Sequence, residues 1–83
     1  MMMCGGHTQA RVPDDDEKAM VAALKADAEA QLGAQYTEFE AVALTTQVVN
    51  GTNFQVKVRT NTGFVHIKIY RPLPHTGQPP QIS

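Results

Sequence analysis

The sequence predicts an α+β domain in which one α-helix packs across an antiparallel β-sheet, and three observations carry that prediction. Apolar residues recur at four-residue spacing from Met20 to Leu32, bracketed by an acidic start and by Gly33. From Tyr36 the period changes to two, giving three strand-like runs. Asn50-Gly51 and Thr60-Asn61-Thr62-Gly63 lie between consecutive runs and supply the turns that antiparallel neighbours need.

Residues 1–83 read as a single domain preceded by a flexible arm over residues 1–12, which contains Gly5 and Gly6 and shows no periodicity. Pro13-Asp14-Asp15-Asp16-Glu17 starts the helix: Asp14 or Asp15 can cap it, and the acidic first turn complements the helix dipole. The helix runs from about Asp15 to Leu32. Met20, Leu24, Ala28 and Leu32 form its apolar stripe with Val21 beside them, and Lys18, Lys25 and Glu29 occupy other positions around the axis. Alanines at 19, 22, 23, 26, 28 and 30 favour the helix and permit close approach to a sheet. Gly33 is a natural stop.

The strand runs are Tyr36–Val49, Asn53–Thr60 and Phe64–Tyr70. Requiring apolar residues to share a face pairs Val58 with Val65, Val56 with Ile67 and Phe54 with Ile69, because a one-residue shift would set Val58 opposite His66. The opposite face then carries Gln55, Lys57, Arg59, Phe64, His66 and Lys68 toward water. Between the first two runs the register stays open. A two-residue Asn50-Gly51 turn places Val49 against Thr52, a longer loop places Val48 against Phe54, and a bulge in the first strand would reconcile them. After Tyr70, prolines 72, 74, 79 and 80 with Gly77 interrupt regular structure.

Bulk properties exclude several function classes. A chain of 83 residues buries only roughly 60–65% of its unfolded surface. One cysteine rules out an internal disulfide framework and is consistent with a reducing compartment. A net charge of −1 argues against an electrostatic nucleic-acid binder. No eighteen-residue apolar stretch and no signal-peptide core occur, so a cytoplasmic protein without a membrane partner is expected.

Catalysis finds no support. Cys4 and His7 sit among glycines, with no helix terminus or neighbouring cation to fix a thiolate, so Cys4 reads as a free thiol able to link two chains under oxidation. The carboxylates of Asp14 to Glu17 read as a cap. His7, His66 and His75 have no metal-ligand spacing, and no cofactor motif is present. Lys57, Arg59, His66, Lys68 and Arg71 could form a basic stripe, but no aromatic ladder is interleaved, and it reads as a solvated face.

Gln47-Val48-Val49-Asn50-Gly51-Thr52-Asn53-Phe54 is harder to assign to folding alone, since Val48 and Val49 place apolar side chains at a hairpin tip. They either fold back onto the body or await a partner. The octapeptide resembles the first inhibitory hairpin of the stefins, the intracellular type 1 cystatins, whose pattern reads Gln-Val-Val-Ala-Gly-Thr-Asn-Tyr. Met2-Met3-Cys4-Gly5-Gly6 and Leu73-Pro74-His75 resemble two further stefin segments. The resemblance implies a cystatin-like fold with a sheet of four to five strands. It also implies reversible inhibition of papain-like cysteine proteases of the cathepsin type, without cofactor or catalytic residue.

In that family the arm, the first hairpin and a second loop form a wedge that enters the protease cleft. Carried over by motif, the wedge comprises Gly5 and Gly6, the tip residues Gln47, Val48, Val49, Asn50 and Gly51, and the loop residues Leu73, Pro74 and His75. Gly5, which directly follows Cys4, is the preferred counterpart of the family's arm glycine, with Gly6 the alternative. Asn50 departs from the family's alanine. The family chain continues past the position of Ser83, so the C-terminal strand is expected to be incomplete, with Gln78–Ser83 supplying a short piece. Besides the Cys4-linked dimer that the free thiol permits, the resemblance implies a monomer that can dimerise by exchanging the helix and its adjoining strand. The latter gives the alternative function, a self-associating structural protein with weak or no inhibition.

Overall fold

The computed structural model describes residues 9–83. Helix α1 (Asp15–Ala23) starts at a reciprocal cap. The Asp14 carboxylate accepts from the Glu17 N–H at 2.8 Å, and the Glu17 carboxylate accepts from the Asp14 N–H at 2.9 Å. The helical segment predicted from Asp15 to Leu32 is interrupted at Leu24, after which α2 (Lys25–Leu32) continues. Leu24 has φ −97° and ψ 6°, and its N–H reaches back three residues to the Val21 carbonyl at 3.1 Å, a tightened turn formed without proline or glycine. Met20, Val21, Leu24 and Ala28 are all buried across this break, whereas Leu32, placed on the stripe by its spacing, is exposed. The core therefore takes only Ala28 from α2. Gly33 ends the helix in the left-handed region at φ 66° and ψ 34°.

Strands β1 (Phe39–Val49), β2 (Gly51–Thr60), β3 (Gly63–Arg71) and β4 (Gln81–Ile82) form an antiparallel sheet in sequence order. Tyr36 precedes β1, buried and stacked on Phe39 at 5.8 Å between ring centroids. The β2–β3 register is the one that shared apolar faces require: Val58 opposite Val65, Val56 opposite Ile67, Phe54 opposite Ile69. These residues, with Ala41 and Leu44 of β1, meet α1 and Ala28 in one apolar cluster. β4 is two residues long and pairs Ile82 with Ile69.

The β1–β2 register corrects both sequence expectations. Val48 lies opposite Thr52 and Val49 opposite Gly51, so the connection is tighter than either alternative. The cause is a bulge at Val42, where the pairing shifts between Ala41 and Ala43. Ala41 and Leu44 are three residues apart, yet both are buried against the same core. Strict alternation would send one of them to solvent, and the extra residue brings both inward.

The chain entering α1 is tied to β1. The Arg11 N–H donates to the Leu44 carbonyl and the Leu44 N–H to the Arg11 carbonyl, each at 2.9 Å, making an antiparallel bridge beside the bulge. Among the described residues no helix is long and apolar enough to cross a membrane.

Candidate functional site

Val48 and Val49 do not fold back: they are 75% and 46% exposed at the β1–β2 tip. Burying a valine side chain is worth about 1.5 kcal/mol or more, so the tip holds apolar surface that the fold itself leaves in water. Gln47, one step below, lies opposite Asn53, and its side-chain carbonyl accepts from the Asn53 amide at 3.4 Å.

Gly51 explains how so tight a tip closes. It is buried at φ +110°, and a Cβ there would lie 2.6 Å from the Arg71 carbonyl oxygen and 2.9 Å from the Tyr70 hydroxyl. Only glycine accommodates both the backbone angle and the approach of β3. Thr52 pairs with Arg71, and the Tyr70 hydroxyl donates to the Asn50 carbonyl, so the end of β3 braces the tip. The Arg71 guanidinium packs over the Phe54 ring at 5.0 Å. Neither Tyr70 nor Arg71 was singled out by sequence for the site. Their signal is the β2–β3 register, which, extended past Phe54, sets Asn53 against Tyr70 and Thr52 against Arg71.

From Arg71 the chain turns directly into the second predicted loop. Leu73 is extended (φ −58°, ψ 145°) and 38% exposed, and Pro74 opens a short 3₁₀ turn, Pro74–Thr76, that includes His75. Thr76 closes the turn on the Leu73 carbonyl with its N–H at 3.0 Å and its hydroxyl at 2.8 Å. Leu73 and Pro74 share a shallow hollow with Gly51 and Thr52, so hairpin tip and second loop lie side by side.

Gly5, Gly6, Cys4 and His7 lie outside the described residues. Their nearest structural reference is Arg11. Its bridge to Leu44 is antiparallel, and Ala10 lines a hollow with Ala43 and Thr45. The Arg11 guanidinium grips the buried Glu17 carboxylate with two bonds of 2.7 and 2.6 Å. That grip, helped by the Asp14 N–H and opposed by burial, holds the Glu17 carboxyl below its ordinary range.

The rest of the surface offers little chemistry. Among the described residues no group of three or more His, Cys, Asp or Glu side chains is placed to hold a metal ion. Across the basic stripe, Arg59 is paired with Glu38 at 2.9 Å and with Glu40, while the Lys57 ammonium sits 4.4 Å from the centre of the Phe64 ring. The exposed apolar side chains of Val48, Val49 and Leu73 therefore stand out as the candidate site.

The Cystatin domain family profile matches residues 5–81. The chain is similar to Cystatin-A1 of Sus scrofa, 35% identical over 83 residues that cover 99% of this chain and 81% of that one. It is 38% identical to Cystatin-B of Oplegnathus fasciatus over 92% of this chain and 77% of the relative. Leukocyte cysteine proteinase inhibitor 1 of Sus scrofa is 33% identical over 94% of this chain and 77% of its own.

Proposed function

The chain belongs to the cystatin family, and from that premise we propose that it is a reversible inhibitor of papain-like cysteine proteases of the cathepsin type, acting in the cytoplasm. The family works by inhibiting proteases and is not enzymatic. The finer reading concerns how this chain docks. The first-hairpin tip from Gln47 to Gly51 enters the catalytic cleft, Leu73-Pro74-His75 seats beside it, and the arm with Gly5 or Gly6 completes the wedge.

One observation carries the proposal: Val48, Val49 and Leu73, three exposed apolar side chains, stand at the same end of the molecule on two braced loops. Transfer of these side chains from water into a cleft supplies the favourable term. The fixed conformations of Gly51 and Pro74 limit the entropy lost on docking. Inhibition follows from occlusion, since the wedge covers the catalytic cysteine without presenting a peptide bond for attack.

The test is titration of papain with the purified protein under reducing conditions, using a fluorogenic substrate. Reversible, stoichiometric loss of activity is expected. A folded protein that leaves papain fully active would overturn the reading.

A further inference from the structure

Tyr70, the penultimate residue of β3, projects its hydroxyl to the Asn50 carbonyl, a contact across twenty residues of sequence. An isolated exposed hydrogen bond contributes little, but this one meets the chain where the tip reverses. The same hydroxyl stands against Gly51, which is already confined by the Arg71 carbonyl, so β3 touches the reversal from two directions. The tip carries its apolar side chains outward and has no core of its own. Its conformation therefore depends on what braces it from outside the hairpin.

We propose that Tyr70 is a positioning residue for inhibition: its hydroxyl fixes the valine tip relative to the second loop and occupies the Asn50 carbonyl before docking. The inference rests on the inhibitory reading above. Two consequences reach the complex. A tip held in one conformation loses less entropy when it enters a cleft. A carbonyl already bonded within the inhibitor is not stripped of water without a partner when the cleft closes over it, a loss that otherwise weakens binding.

Tyr70→Phe removes only the hydroxyl. Methyl relaxation of Val48 and Val49 in the free variant should show lower order parameters than in the parent, with a melting temperature unchanged to within about 2 °C. Its papain inhibition constant should rise about three- to tenfold, mainly through faster dissociation. When Val48→Ala and Val49→Ala are already present, adding Tyr70→Phe should cost clearly less than it does in the parent, because the valines are no longer there to be ordered and only the Asn50 carbonyl is left to lose its partner. Unaltered valine order parameters, or the same fold-loss in the truncated-tip background, would overturn the proposal. A parent protein that fails to inhibit papain would overturn the inhibitory reading instead, and the valine order parameters would still decide whether the hydroxyl holds the tip.

Discussion

The two hairpins of this sheet close in opposite ways. The β2–β3 turn satisfies itself: the buried Thr60 hydroxyl donates to the Gly63 carbonyl at 3.0 Å and accepts from the Thr62 N–H at 3.2 Å. The Asn61 side chain next to it accepts from the Thr37 N–H at 3.0 Å, tying the turn to the entry of β1. The β1–β2 tip does the reverse, exposing two valines and taking its support from Tyr70 on another strand. The β2–β3 turn thus pairs its polar groups locally, and its exposed Phe64 ring lies under the Lys57 ammonium. The β1–β2 tip keeps apolar surface outside and is held in shape from elsewhere, as the proposed docking role would require.

Replacing Val48 and Val49 together with aspartate should sharpen that contrast most. It removes the transfer energy of two valines and places two charges in the cleft, so papain inhibition should weaken at least about 100-fold while the melting temperature stays near that of the parent. Unchanged inhibition by a well-folded double variant would move the site elsewhere.

The paired glycines offer the next test. Gly51→Ala meets both a positive φ and the Arg71 carbonyl, and should cost about 3 kcal/mol in denaturant unfolding as well as most of the inhibition. Gly63→Ala meets only the angle, φ +133° with open space around it, and should cost about 1 kcal/mol with inhibition unaltered. Equal losses of inhibition in the two variants would erase the distinction between the hairpins. A smaller effect is expected of Thr60→Val, about 1–2 kcal/mol of stability from the broken turn bonds and no change in the papain inhibition constant.

The smallest effect concerns the ion pair at the root of the arm. The Glu17 carboxyl titrates lower when folded than when unfolded, so its contribution is complete above roughly pH 4.3 and disappears as pH falls through the lowered folded value. Between pH 7 and pH 3, the parent should lose more stability in urea than Glu17→Gln does. Parallel losses would show that the Arg11 grip contributes nothing to folding.

The same contrast explains which features were legible in the sequence. Phe54, Val56 and Val58 alternate along β2 as Val65, Ile67 and Ile69 do along β3, so only one register puts all six on one face, and the structure has that register. The helix limits were legible from Asp14 and Gly33, since capping is local chemistry. The break at Leu24 was not, because no proline or glycine marks it. In β1, the sequence raised a bulge only as a way to reconcile two registers; its position at Val42, which lets Ala41 and Leu44 both face inward, is not given by alternation. Asn50-Gly51 correctly marked a reversal but did not set its length. The exposed valines and Leu73 were legible as candidates, while the Tyr70 brace follows from long-range pairing.

The Arg11 bridge also bears on how the protein keeps company with itself. β1 lies at one edge of the sheet and is eleven residues long, the kind of open margin that invites a foreign strand to zip alongside. Arg11 occupies the backbone groups of Leu44 near the middle of that margin, and the bulge at Val42 interrupts the regular spacing just below. Among the described residues, a strand arriving from another molecule would meet that obstruction and no continuous ladder. What enters the sequence as the last residues of an arm thus takes up, at Leu44, the backbone groups that an added edge strand would need.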